Sequence, residues 1–243
     1  MNRNRHKNKI KSEDYEKLSD IVTPEVEEAI KTFYNTHVNN LKFDNKHCTV
    51  GSDRIHYDMT EWIQTNSGIR FTPTNPIPET IVIQDIAHAL SMQCRFSGHV
   101  NRFYSVAQHS VGVSYLCDAQ DALWGLLHDA TEAYLIDIPS PLKRSGKFEE
   151  FVKMEAVMQT AICARFGLED KEPPSVKKAD QIMVVTEARD LMRSLRPDWK
   201  QVCEPAPFTI DPLPQREAKA LFLKRYFQLI GHPDSYYEYI DKF

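Results

Sequence analysis

Glycine is scarce in this chain, at 8 of 243 residues, and long stretches repeat their apolar positions every three to four residues. Together these disfavour an all-β protein rich in tight turns and favour a mostly helical one. No apolar run approaches the roughly 20 residues that span a bilayer, so no membrane segment is expected. Residues Met1–Lys9 are basic but no apolar core follows them, so a secretory signal is not expected there. Five scattered cysteines (Cys48, Cys94, Cys117, Cys163, Cys203) form no CxxC pair, which removes a zinc knuckle and a thioredoxin-like site. Cys94, Cys117 and Cys163 fall in apolar stretches that look helical and read as small buried hydrophobes, and the cytoplasm is the natural compartment. A formal charge of −4 provides no whole-chain attraction for a nucleic-acid polymer. Repeats and low-complexity segments are also missing.

What is present sorts into two parts, residues 1–80 and 81–243. The first twelve residues are polar, and disorder is expected there. Thr23-Pro24-Glu25 supplies an N-cap, a first-turn proline and an acid, so a helix is predicted from there to about His37. Glu61 to Thr72, with Asn66-Ser67-Gly68 at its centre, reads as a short β-hairpin closed off by Pro73, Pro76 and Pro78. From Ile83 onward the pattern is helical: about 83–95, 104–117, 119–132, 147–166, 175–195, 213–230 and 234–241. Gly167 and Gly231 stand where helices should be capped. The expected fold class is all-α, a helical bundle with an N-terminal extension carrying one helix and the hairpin.

The chemistry-bearing stretch is Trp124-Gly125-Leu126-Leu127-His128-Asp129-Ala130-Thr131-Glu132, followed by Asp137, Pro139, Pro141 and Lys143. A His-Asp dipeptide alone is weak evidence. Here it follows an apolar run, so it projects from the end of a buried helix. Glu132 is four residues after His128 and three after Asp129, on the same helical face. Carboxylates and imidazole crowded in an apolar setting repel and desolvate one another, and a divalent cation is the simplest remedy. His109, in Ser105-Val106-Ala107-Gln108-His109-Ser110, and Asp180, in Ala179-Asp180-Gln181-Ile182, are further candidate ligands. Two His and two Asp make a mixed nitrogen and oxygen set suited to Zn, Mn, Co or Fe rather than Ca.

The order His109, His128-Asp129, Asp180 resembles the H…HD…D signature of the HD-domain phosphohydrolase superfamily. The string H-D-A-T-E-x(4)-D-x-P-x-P-x-K is similar to its bacterial 5′-deoxynucleotidase branch and to phage dATP triphosphohydrolases. The likeness covers roughly residues 85–230. It implies an HD-domain helical bundle, one divalent metal ion (Mn, Co, Zn, Fe or Mg) and hydrolysis at phosphorus. His109, His128, Asp129 and Asp180 would hold the metal, and Glu132 and Asp137 match the family's acidic pair, with exchangeable roles as proton acceptor and water-positioning or proton-donating group. Arg95 aligns with an arginine that contacts phosphate, and Lys143 with a position expected to meet phosphate. Phe96 stands where the family usually has a tryptophan against the sugar.

The resemblance further implies a small-molecule nucleotide substrate and a homo-oligomer, with no membrane and no nucleic-acid polymer as partners. The expected reaction is release of phosphate from 5′-deoxynucleoside monophosphates. The alternatives are a dNTP triphosphohydrolase, which needs further cations such as Arg102, Arg144 or Lys147, and a catalytically silent nucleotide-binding module. A cyclic-dinucleotide phosphodiesterase is disfavoured, because no Gly-Tyr-Pro follows. His88, on an apolar helix face, reads as structural, and the aromatic C-terminus (Tyr226, Phe227, Tyr236, Tyr237, Tyr239) as core or a dimer face.

Overall fold

In the computed structural model, which describes residues 61–193 and 202–232, strands β1 (Ile63–Gln64) and β2 (Arg70–Phe71) pair antiparallel, Ile63 opposite Phe71 and Gln64 opposite Arg70. This is the expected hairpin. Gly68 takes a positive φ of 85° in its turn, a conformation only glycine adopts freely. The expected helices at 23–37 and 234–241, Cys48 and Tyr236, Tyr237 and Tyr239 lie outside the described residues.

The rest is helical: α1 (Ile83–Met92), α2 (Val106–Leu116), α3 (Ala122–Leu127), α4 (Glu132–Leu135), α5 (Ser140–Lys143), α6 (Glu149–Phe166), α7 (Pro174–Leu191) and α8 (Gln215–Leu229). The all-α class is therefore as expected. Helix α1 buries Ile83, Ile86, Ala87 and Leu90, one stripe at helical spacing. Its buried Asp85 accepts hydrogen bonds from the backbone N–H and the hydroxyl of Ser67, at 2.7 and 2.6 Å, which moors the hairpin to the bundle.

Helix α2 starts at Ser105, whose hydroxyl accepts the Gln108 N–H at 3.1 Å, an N-cap of the usual kind. It is buried on nearly every side, with Val106, Ala107, His109, Val111 and Val113 all inside, and it packs against α1, α3, α7 and α8. Fully buried residues such as Leu90, Leu126, Leu127, Met158 and Phe222 make one core, each worth roughly 1.5–3 kcal/mol of transfer free energy. Val113, Trp124, Val176, Ala179 and Met183 form a second cluster that seats α7.

Three local readings change. The expected helix over 119–132 is broken: α3 ends at Leu127, residues 128–131 form a turn, and α4 resumes at Glu132. The expected 83–95 helix stops at Met92, and Cys94 lies in an extended segment bridged antiparallel to Ser105. Helix α5 was not foreseen. Gly167 caps α6 with a positive φ of 67°, as expected. Cys163 is buried, whereas Cys94, Cys117 and His88 are half-buried. Among the described residues no helix is long and apolar enough to cross a membrane.

Candidate metal centre

The buried α2 carries His109 one turn from its start, with no solvent exposure. The end of α3 delivers His128, and the turn after it delivers Asp129. Helix α7 brings Asp180 from the far side. Their donor atoms meet: His109 Nε2 is 3.2 Å from His128 Nε2, 3.6 Å from Asp129 Oδ2 and 3.1 Å from Asp180 Oδ1. His128 Nε2 is 3.2 Å from Asp129 Oδ2 and 3.9 Å from Asp180 Oδ1. His109, His128 and Asp129 form a group that can hold a metal ion.

The orientation of the two rings is set from behind. His128 Nδ1 lies 2.8 Å from the Gly125 carbonyl oxygen, which can only accept, so Nδ1 carries the proton. His109 Nδ1 lies 2.6 Å from Glu187 Oε1 and donates to that carboxylate. Both Nε2 atoms therefore turn toward the two aspartates. With Nδ1 protonated, each neutral ring presents a bare Nε2 lone pair beside these carboxylates. A divalent cation satisfies the converging donors of His109, His128 and Asp129, with Asp180 Oδ1 beside them 3.1 Å from His109 Nε2, so the residues fit such an ion.

Charge state follows the same crowding. Burial acts to lower the pKa of His128, and the Asp129 and Asp180 carboxylates outweigh it, pushing it up to about 9. For His109, burial and the Arg95 charge act downward, and Glu187 and Asp180 reverse them. Asp129 is desolvated, yet His128 and Arg95 hold it well below the usual carboxylate range. Asp180 is also lowered, by its hydrogen bond and charge interaction with His109 acting against desolvation.

Glu132 is buried beside this centre, 7% exposed, and its Oε2 has no hydrogen-bond partner. Burial, then Asp129 and Asp137, raise its pKa well above the ordinary value. Its backbone carbonyl is held by the Gln93 side chain at 2.8 Å. Asp137 sits at the rim, 46% exposed, 3.2 Å from Lys143 Nζ, which also binds Glu155 at 2.6 Å. Lys143 is thus already engaged by two carboxylates.

Arg95 is anchored through its backbone N–H to the Tyr104 carbonyl. Its side chain, 14% exposed, lies 3.3 Å from Asp129 Oδ2 and 3.5 Å from Glu187 Oε2. Phe96, half-buried at a positive φ of 55°, has its ring 5.6 Å from the Arg95 guanidinium. Arg102 pairs with Asp211 at 3.0 Å on the surface. All four expected ligands and Glu132 therefore meet in one place, with Arg95 against Asp129.

Sequence reasoning missed Glu187, Glu155 and Glu172. Glu187 is seven residues after Asp180, two turns along the same helix face, which was the available signal. Glu172 precedes α7, and its carboxyl is pushed up by burial and by Asp180 and Asp129, partly countered by His128 and Lys177.

No family model matches the chain. Over 172 residues it is 41% identical to the uncharacterised protein YfdR of Escherichia coli K12, covering 69% of this chain and 95% of that protein. Over 138 residues it is 34% identical to an uncharacterised protein of Rhodobacter capsulatus, covering 53% of this chain and 69% of that one. The chain belongs to the family of the Escherichia coli protein YfdR.

Proposed function

We propose that the chain is a metal-dependent phosphohydrolase of the HD-domain type that acts on nucleotides, releasing phosphate from 5′-deoxynucleoside monophosphates. The observation that carries this reading is the convergence of His109 Nε2, His128 Nε2, Asp129 Oδ2 and Asp180 Oδ1 within 3.9 Å or less for the measured pairs. These four residues would hold the ion, which is Mn, Co, Zn, Fe or Mg. A bound divalent cation supplies Lewis acidity, neutralising phosphoryl charge and making water easier to deprotonate.

The chain's own groups divide the remaining work. Glu132 Oε2, buried and without a hydrogen-bond partner, takes the proton of the attacking water, and its raised pKa brings it toward the working range of a general base. Asp137, at the rim, positions that water or protonates the leaving oxygen. Arg95 lies against Asp129, so its charge is available to phosphoryl oxygens that approach the ligand carboxylates. Phe96, next in sequence, stands where the family usually has a tryptophan against the sugar, and on this reading it takes that contact.

Lys143 is tied to Asp137 and Glu155, and Arg102 to Asp211, so a phosphate meeting either cation displaces a carboxylate whatever its chain length. The presence of every expected His and acid speaks against a silent binding module.

The test is incubation of metal-stripped protein with each dNMP and dNTP, adding Mn, Co, Zn or Mg, with products resolved by ion exchange. Nucleoside plus phosphate from dNMPs is the expected result. Intact triphosphate released from dNTPs would replace this reading with the triphosphohydrolase. No turnover of any nucleotide would overturn it.

A further inference from the structure

We propose that Glu187 is the positioning residue of the metal centre, fixing His109 so that its Nε2, and not its Nδ1, faces the ion. This rests on the metal-centre reading above. Glu187 is wholly buried on α7, two helical turns from Asp180, a rise of roughly 10 Å. One rigid helix therefore presents both a ligand and the carboxylate that orients the ligand opposite it.

A buried carboxylate needs a reason to be there, because desolvating it costs several kcal/mol before any pairing. Neutralising Arg95 is the simpler reason, and the geometry argues against its sufficiency. Arg95 Nε and Glu187 Oε2 are 3.5 Å apart, and neither atom has a hydrogen-bond partner. Glu187 Oε1, in contrast, accepts from His109 Nδ1 at 2.6 Å, just under the roughly 2.7–2.9 Å that charge-assisted bonds from N–H donors span. Tyr104 is buried beside the same carboxylate, and burial together with Glu187 raises its pKa. Glu187 thus stands within a closed set of Arg95, Tyr104 and His109, with its best bond made to the imidazole. A carboxylate behind a ligand histidine locks the tautomer and raises the basicity of the ligating nitrogen.

The test uses the full chain as wild type, Glu187→Gln and Glu187→Ala, each stripped of metal and titrated with Co(II). Visible absorption reports ligand geometry, calorimetry reports affinity, and circular dichroism checks the fold. Wild type is expected to bind cobalt. Glu187→Gln should bind it roughly 10- to 100-fold more weakly, with a shifted absorption band, and Glu187→Ala should be weaker still, because the amide oxygen of Gln can partly replace the carboxylate. Folded variants with wild-type affinity and an unchanged spectrum would overturn the proposal. If wild type itself takes up no cobalt, the metal-centre reading fails first and this proposal with it.

Should both variants fail to fold, the nitrogen NMR of ¹⁵N-histidine-labelled wild type decides. A proton on His109 Nδ1 supports the proposal, and an Nε2–H tautomer overturns it.

Discussion

His109 and His128 face each other nitrogen to nitrogen, with Nε2 atoms 3.2 Å apart, and each ring's other nitrogen is already engaged. Glu187 holds one from behind and the Gly125 carbonyl the other. Asp129 and Asp180 close in from the sides. His109, His128 and Asp129 thus bring their donor atoms together as a group that can hold a metal ion, with Asp180 beside it.

Glu132 gives the first expectation. Its raised pKa favours the protonated carboxyl in the fold, so that contribution is present in full below the ordinary value of 4.5 and is lost as pH rises above it. Glu132→Gln keeps the neutral form at every pH. In metal-free protein, thermal melts should therefore show the variant gaining on wild type as pH rises above 4.5. Turnover should fall by roughly 10²–10⁴-fold. A melting advantage that shrinks with rising pH, or turnover within about threefold of wild type, would remove Glu132 from this role.

Gly125 lies where α3 crosses α2. A Cβ there would stand 2.8 Å from Cys117 Sγ and 3.3 Å from the Ser114 backbone. Gly125→Ala should destabilise by about 1–3 kcal/mol and also weaken metal uptake, because the carbonyl of this residue holds His128. Adding Cys117→Ala should recover part of the stability. Chemical denaturation of the single and double variants checks this, and a neutral Gly125→Ala would contradict it.

Ile136, between Glu132 and Asp137, has φ 61° and ψ 157°, a region that is nearly glycine's alone and costs about 1–3 kcal/mol. Its side chain is 66% exposed, so little packing is lost on removal. Ile136→Gly should raise the melting temperature by roughly 2–4 °C, while Ile136→Ala should not. Calorimetry that finds the glycine variant less stable would show that the strain is absent.

Much of this was legible in the residues. The apolar run before His128 does end a helix there: Leu126 and Leu127 are core residues, and the next two side chains meet His109. Asp180 was placed by the apolar neighbours that bury one face of α7. Glu187 was not, since it precedes Arg189 and Asp190 and looks like one member of a solvated charge run. Its seven-residue spacing from Asp180 puts it on the same face of α7, and the packing of that helix on α2 buries it.

The break at 128–131 was equally hidden, as its residues keep a helical spacing that suggests continuity. The Lys143 partnership with Glu155 joins residues twelve apart on two successive helices, which no local pattern encodes. Cys94 looked helical by its neighbours and is extended because it bridges Ser105, a tertiary choice.

The metal centre is tested most directly by calorimetric titration of Mn(II) into the metal-stripped chain and its Asp180→Asn variant. Wild type should take up a single ion, and the variant should bind it at least 10- to 100-fold more weakly, the range found for losses even beyond the direct ligands. No uptake by wild type, or equal uptake by both, would contradict the assignment of these four residues as a metal site.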